Sequence, residues 1–118
     1  MQDFHNLLVW PKAHQLALLT YRLTADFPRD EMSGLRTSLR RVSVDIPAYI
    51  AEGSMKANDA EFGKSLSAAL GFANRLEYYA LIARDLTFFS DEIHVGYEAA
   101  IIEVKKMLNK FGGQLRHE

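Results

Sequence analysis

The chain has 118 residues, 48% of them hydrophobic, enough for one core of ordinary domain size and too few for a second, so residues 1–118 are expected to form a single domain. Lys and Arg number 14 against 15 Asp and Glu, a formal charge of -1 that excludes a global pull toward nucleic acid or anionic membrane and leaves any such binding to a local patch. The absence of cysteine excludes disulfides, thiolate nucleophiles and thiolate metal sites.

The first residues, Met1 to His5, carry neither the basic region nor the apolar run of a signal peptide, and nothing approaches the roughly 20 apolar residues of a membrane helix. A cytoplasmic protein with no membrane contact is expected. The first helix is predicted to begin near Trp10, with Pro11 in the opening turn where its missing N–H costs nothing. Ala13, Leu16, Ala17, Leu23 and Phe27 recur along it, and Phe27-Pro28 is its predicted end. The second is predicted to open near Asp30-Glu31, acids suited to a positive helix end. It runs through Leu35, Leu39, Val42, Ile46, Tyr49 and Ile50, is weakened by Gly53, and breaks at Ala57-Asn58. Pro47 lies in its interior, where proline removes a hydrogen bond at about 3 kcal/mol, so a kink or a particular packing shape is expected there.

The third helix is predicted from an Asn58 cap with Glu61 three residues on, in the manner of a capping box. Phe62, Leu66, Ala69, Ala73, Leu76, Ala80 and Ala83 form a seam with heptad-like spacing, continued by Leu86 and Phe88. Phe72 and Tyr79 lie off that seam and suggest a second sticky face, and Gly71 suggests a close helix approach. Ser90-Asp91-Glu92 caps a fourth helix with Ile93, Tyr97, Ile101, Val104, Leu108 and Phe111 on one face, ended by Gly112-Gly113. The order implies an all-α, antiparallel up-down-up-down four-helix bundle. The second and third helices read as the longer pair, leaving surface for another subunit, so a homo-oligomer is expected.

Arg36, Arg40 and Arg41 place three guanidinium groups close together on the second helix, and two readings stay open. With Lys56 they form a candidate contact for nucleic-acid phosphates. In the other reading Arg41 pairs with Asp45 at i+4, and with Glu52 these charges make a polar stripe that docks helices or subunits. No catalytic residues are expected, because Asp45 and Glu52 are too loosely coupled for acid–base work. His5, His14, His94 and His117 lack the spacing of metal ligands, and no glycine pattern cradles a cofactor, so neither metal nor cofactor is expected.

Phe4, Leu7-Leu8-Val9-Trp10, Lys12-Ala13, Phe27-Pro28, Gly34-Leu35, Leu39-Arg40-Arg41, Ile46-Pro47, Ile50-Ala51-Glu52-Gly53, Glu61-Phe62 and Leu76-Glu77 form an ordered set. On these residues the chain resembles the bacterial four-helix bundle family first associated with intervening sequences in large-subunit ribosomal RNA genes. The family is related to the accessory variability protein of diversity-generating retroelements, which associates with a reverse transcriptase and its template RNA. The resemblance implies a ring-like homopentamer and no established enzymatic activity. Tyr49, Phe72 and Arg75 depart from the usual residues of the pattern. Arg41, Asp45, Pro47, Tyr49, Glu52, Gly53, Phe72 and Tyr79 stand as the structural or interface set. The expected function is a non-enzymatic, oligomeric binding or scaffolding module for structured RNA or other nucleic acid. The alternative is a module for a nucleic-acid-processing protein partner, without nucleic-acid affinity of its own.

Overall fold

The computed structural model describes residues 3–31 and 34–116, except the side chain of residue 116; His117 of the sequence reading lies outside the described residues. Four α-helices follow one another: α1 (Val9–Leu23), α2 (Leu35–Gly53), α3 (Asp59–Asp85) and α4 (Asp91–Arg116), with short 3-10 turns at Phe4–Asn6 and Arg29–Glu31. No strand occurs among the described residues, and none of their helices is long and apolar enough to cross a membrane. α1 packs on α2, α2 on α3 and α3 on α4, while α4 meets α1 over a smaller area. The molecule measures 45 × 23 × 19 Å, and its long dimension is close to the roughly 40 Å that α3 alone spans at about 1.5 Å per residue.

The first two helices are shorter than their apolar pattern. α1 stops at Leu23, because Thr24 leaves helical geometry at φ -96 and ψ 0 and its Oγ1 donates to the Thr20 carbonyl at 2.8 Å. Phe27 still reaches the core from the turn, 5% exposed and edge-on to Phe89. α2 starts at Leu35, not at Asp30-Glu31: those acids belong to a separate turn, and Gly34 interrupts with φ -109 and ψ -116. Through buried Pro47 the helix stays continuous. It ends at Gly53, ahead of the predicted break at Ala57-Asn58, where α2 meets α3 so closely that an added Cβ would stand 2.5 Å from the Ser65 Cβ.

α3 begins as its sequence predicts, with Asn58 Oδ1 accepting from the Glu61 N–H at 2.9 Å. All seven seam residues from Phe62 to Ala83 are buried. Beyond them the register changes: Leu86 is 53% exposed and Phe89, at 3%, takes the core position. Thr87 causes this, since its positive φ of 63 reverses the chain and ends the helical period. Gly71 faces open space and brings no helix closer. Phe72, off the seam, meets Tyr49 of α2 in an edge-on contact at 5.0 Å, so part of the second face of α3 is used within the chain.

α4 departs from its prediction at both ends. Ser90 Oγ caps it by accepting from the Ile93 N–H at 3.1 Å, and Tyr97, Ile101, Val104 and Leu108 are buried as expected, but in the first turn Ile93 is exposed and His94 takes the inward position. Gly112-Gly113 does not stop the helix, which continues to Arg116. Phe111, edge-on to Phe62 at 5.3 Å, and Leu115 pack against the core on either side of the pair. Their burial outweighs the roughly 1 kcal/mol that each glycine costs a helix. The long pair is therefore α3 and α4, with 27 and 26 residues, while α2 has 19 and α1 has 15.

Candidate nucleic-acid interface

Arg40 and Arg41 of α2 lie where that helix faces Tyr21 of α1, with the charge of Arg36 near Arg40, and the surroundings of the three differ. Arg40 is fixed at several points: Nε donates to Thr24 Oγ1 at 2.9 Å, Nη2 donates to the Tyr21 carbonyl at 3.0 Å, and the guanidinium carbon lies 4.4 Å from the centre of the Tyr21 ring. Burial, and next the like charge of Arg36, lower its pKa below the usual arginine value. Thr24 is itself held by Thr20, whose Oγ1 donates to the Leu16 carbonyl at 2.9 Å and lies 2.6 Å from the buried Tyr97 hydroxyl. A polar chain thus runs from Tyr97 on α4 through α1 to the arginine on α2.

Arg36 is half-buried, and its shielded Nε has no hydrogen-bond partner among the described residues. Arg41 is exposed and Asp45 half-buried. The expected Arg41–Asp45 pair does not form; the ion pairs of the described residues join Lys12 to Glu103, Lys64 to Glu61, Arg84 to Asp85 and Lys105 to Glu77, with histidines completing the set. Arg36, Arg40, Arg41, Lys56, Asp45 and Glu52 take part in none. The i+4 spacing suits such a pair, but exposed pairs gain at most about 1 kcal/mol, too little to hold two flexible side chains together.

Tyr21, Thr37, Arg40, Arg41, Val44 and Asp45 line an open groove of about 400 Å³ between α1 and α2. Neither Arg36 nor Lys56 lines it. Lys56 follows the end of α2, and the thirteen steps from Arg40 to Gly53 alone extend roughly 20 Å along the axis. Tyr21, Thr20 and Thr24 enter the site without having been assigned to it from sequence; Thr20 and Thr24 are buried, and their spacing carries no signal that points across to α2. No cluster of three or more potential metal ligands occurs among the described residues. His14 stacks on Trp10 at 5.0 Å and His5 bonds Asp3 at 2.7 Å, each in its own local contact.

On α3 and α4 the surface is of another kind. Tyr78 of α3, Leu86 just past its end, and Ile93 and Val95 of α4 are 59%, 53%, 43% and 67% exposed, while Leu8, Leu18, Tyr21, Val44 and Met55 are exposed in the first half of the chain. Beside Tyr78, Glu77 accepts from Lys105 Nζ at 2.7 Å, and both line a second groove of about 310 Å³ with Glu98.

A solved structure shares this architecture, that of a protein of unknown function from the S23 ribosomal protein family of Bacteroides thetaiotaomicron VPI-5482. It superposes with a TM-score of 0.80 at 20% identity, over 88% of this chain and 97% of that one. No curated protein matches the chain. The sequence profile of the 23S rRNA-intervening sequence proteins matches residues 5–110, which together with the four-helix fold places the chain in the 23S rRNA-intervening sequence protein family.

Proposed function

We propose that the protein is a non-enzymatic binding module, an antiparallel up-down-up-down bundle assembled into a ring-like homopentamer in the cytoplasm, that holds structured RNA through the arginines of α2. One observation carries the reading: Arg36, Arg40 and Arg41 stand together without an acidic partner among the described residues, in a chain whose formal charge is -1. Uncompensated guanidinium groups on a surface seek phosphate, and their planar donors fit its oxygens. The short connections between successive packed helices favour the antiparallel order. Exposed apolar side chains on α3 and α4 supply a surface for neighbouring copies, apart from the arginines.

Binding of labelled structured RNA, read at low and physiological salt with assembly mass followed in the same samples, tests this. Arg36→Gln and Arg41→Gln should each weaken binding and reduce its salt dependence by about one phosphate contact, at unchanged mass. Salt-independent binding, or none, refutes the phosphate role. A second reading rests on the same apolar surface of α3 and α4: the module captures a nucleic-acid-processing protein and has no nucleic-acid affinity itself. Capture of such a partner that survives nuclease, by a protein that binds no RNA, would favour it.

A further inference from the structure

The α1–α2 groove is more than a basic patch, because cation, aromatic ring and free carboxylate share it. We infer that it is a nucleotide-binding groove for single-stranded RNA with a preference for guanine, an inference that rests on the RNA reading above and gives Tyr21, Arg40 and Asp45 their parts in it. The volume of about 400 Å³ falls within the range of about 300–1,000 Å³ typical of small-ligand sites.

Arg40 is held in place. Thr24 and the Tyr21 carbonyl hold two of its nitrogens while its guanidinium lies over the Tyr21 ring, which leaves Tyr21 44% exposed. A tethered guanidinium over a tyrosine ring, its ordering already complete, is a platform for an unpaired base. Arg41, exposed and without an ion pair, stands beside it for the phosphate. Asp45 lies one turn beyond Arg41 in the same groove, and it too is without an ion pair among the described residues. A carboxylate repels phosphate, so it suits the other end of a nucleotide. Among the bases, guanine alone offers two adjacent N–H donors on its Watson–Crick edge, a match for the two oxygens of Asp45. Arg40 and Asp45 are five residues apart, about 7.5 Å along the helix, so a base stacked at one end can reach the carboxylate at the other. In a duplex that edge is already paired, which directs the groove to single strands.

The test uses the full chain and labelled decamers: all uridine, or uridine with three guanines, three adenines or three cytosines, and a duplex containing the guanine strand. Guanine-bearing single strands should bind about tenfold tighter than the others. Asp45→Asn should erase that preference while binding the uridine decamer at least as tightly as the parent does, since a charge that repels phosphate is gone, and Tyr21→Leu should weaken every single strand; circular dichroism confirms that both variants fold. Equal binding of all single strands, or a preference for the duplex, overturns the guanine inference and leaves the phosphate reading standing. No binding to any strand by a protein that still binds the structured RNA overturns the single-strand groove alone, no binding to either overturns both readings, and a guanine preference that survives in Asp45→Asn refutes the role given to that carboxylate.

Discussion

At the scale of single residues, the polar chain Tyr97–Thr20–Thr24–Arg40 is the least expected feature, since each member alone reads as core or surface. Burial raises the Tyr97 pKa above the ordinary tyrosine value, partly offset by the hydroxyl contact with Thr20. The sign follows from proton counting: above about pH 10, the unperturbed tyrosine value, the unfolded chain loses this proton while the folded one keeps it, so stability falls as pH rises. Urea melts at pH 8 and pH 11 should show a smaller alkaline loss for Tyr97→Phe than for the parent. At pH 8 the same variant should cost about 1 kcal/mol through the lost hydrogen bond. Gly53 gives a second case. A methyl group there would press on Ser65 and Phe62, so Gly53→Ala should destabilise by about 1–3 kcal/mol in denaturant melts, against the usual gain from replacing a helical glycine. Conformational preference makes that glycine look like a helix breaker; the close approach of α3 explains it better.

Helix by helix, what the sequence makes legible is the middle of each element, and what it hides is the ends. The seam from Phe62 to Ala83 repeats often enough to be read without a structure, and the Asn58 cap is a local hydrogen bond that spacing alone reveals. Leu86, Ile93 and the glycine pair at 112–113 depart from their sequence pattern for a shared reason: tertiary contacts decide a terminus, and one-dimensional periodicity carries no record of the Thr87 reversal or of the core that receives Leu115. The candidate site is half legible. Spacing groups Arg36, Arg40 and Arg41, but it also suggests an Arg41–Asp45 pair and includes Lys56, and it cannot show that α1 supplies Tyr21 and Thr24. Gly96 of α4 tests the propensity argument where packing is silent. It is exposed, with open space where a methyl group would stand, so Gly96→Ala should stabilise by about 0.5–1 kcal/mol, seen as a higher urea midpoint with unchanged slope.

For the whole molecule, the order of packing puts the arginine groove, with exposed Tyr21 and Val44 in its lining, between α1 and α2, while Tyr78, Ile93 and Val95 are exposed on α3 and α4, so an assembly built on those three leaves the groove free. That separation has a measurable consequence. Val95, 67% exposed, and Tyr78, 59% exposed, contribute little to the core of one chain, so replacing both with aspartate should leave helicity and the urea midpoint of the isolated protomer nearly unchanged. If they meet a neighbouring copy, the introduced charges must be desolvated there, and the assembly should fall to protomer mass in sedimentation. RNA affinity should then drop by more than tenfold although every groove is intact, because linked grooves engage one strand at high effective concentration and separate ones do not. The salt dependence should shrink with it, since fewer phosphates are neutralised per complex. Retained mass in the double aspartate variant would move the contact between copies elsewhere. Lost mass with unchanged affinity would mean that each protomer binds RNA alone, and assembly would then serve some purpose other than avidity.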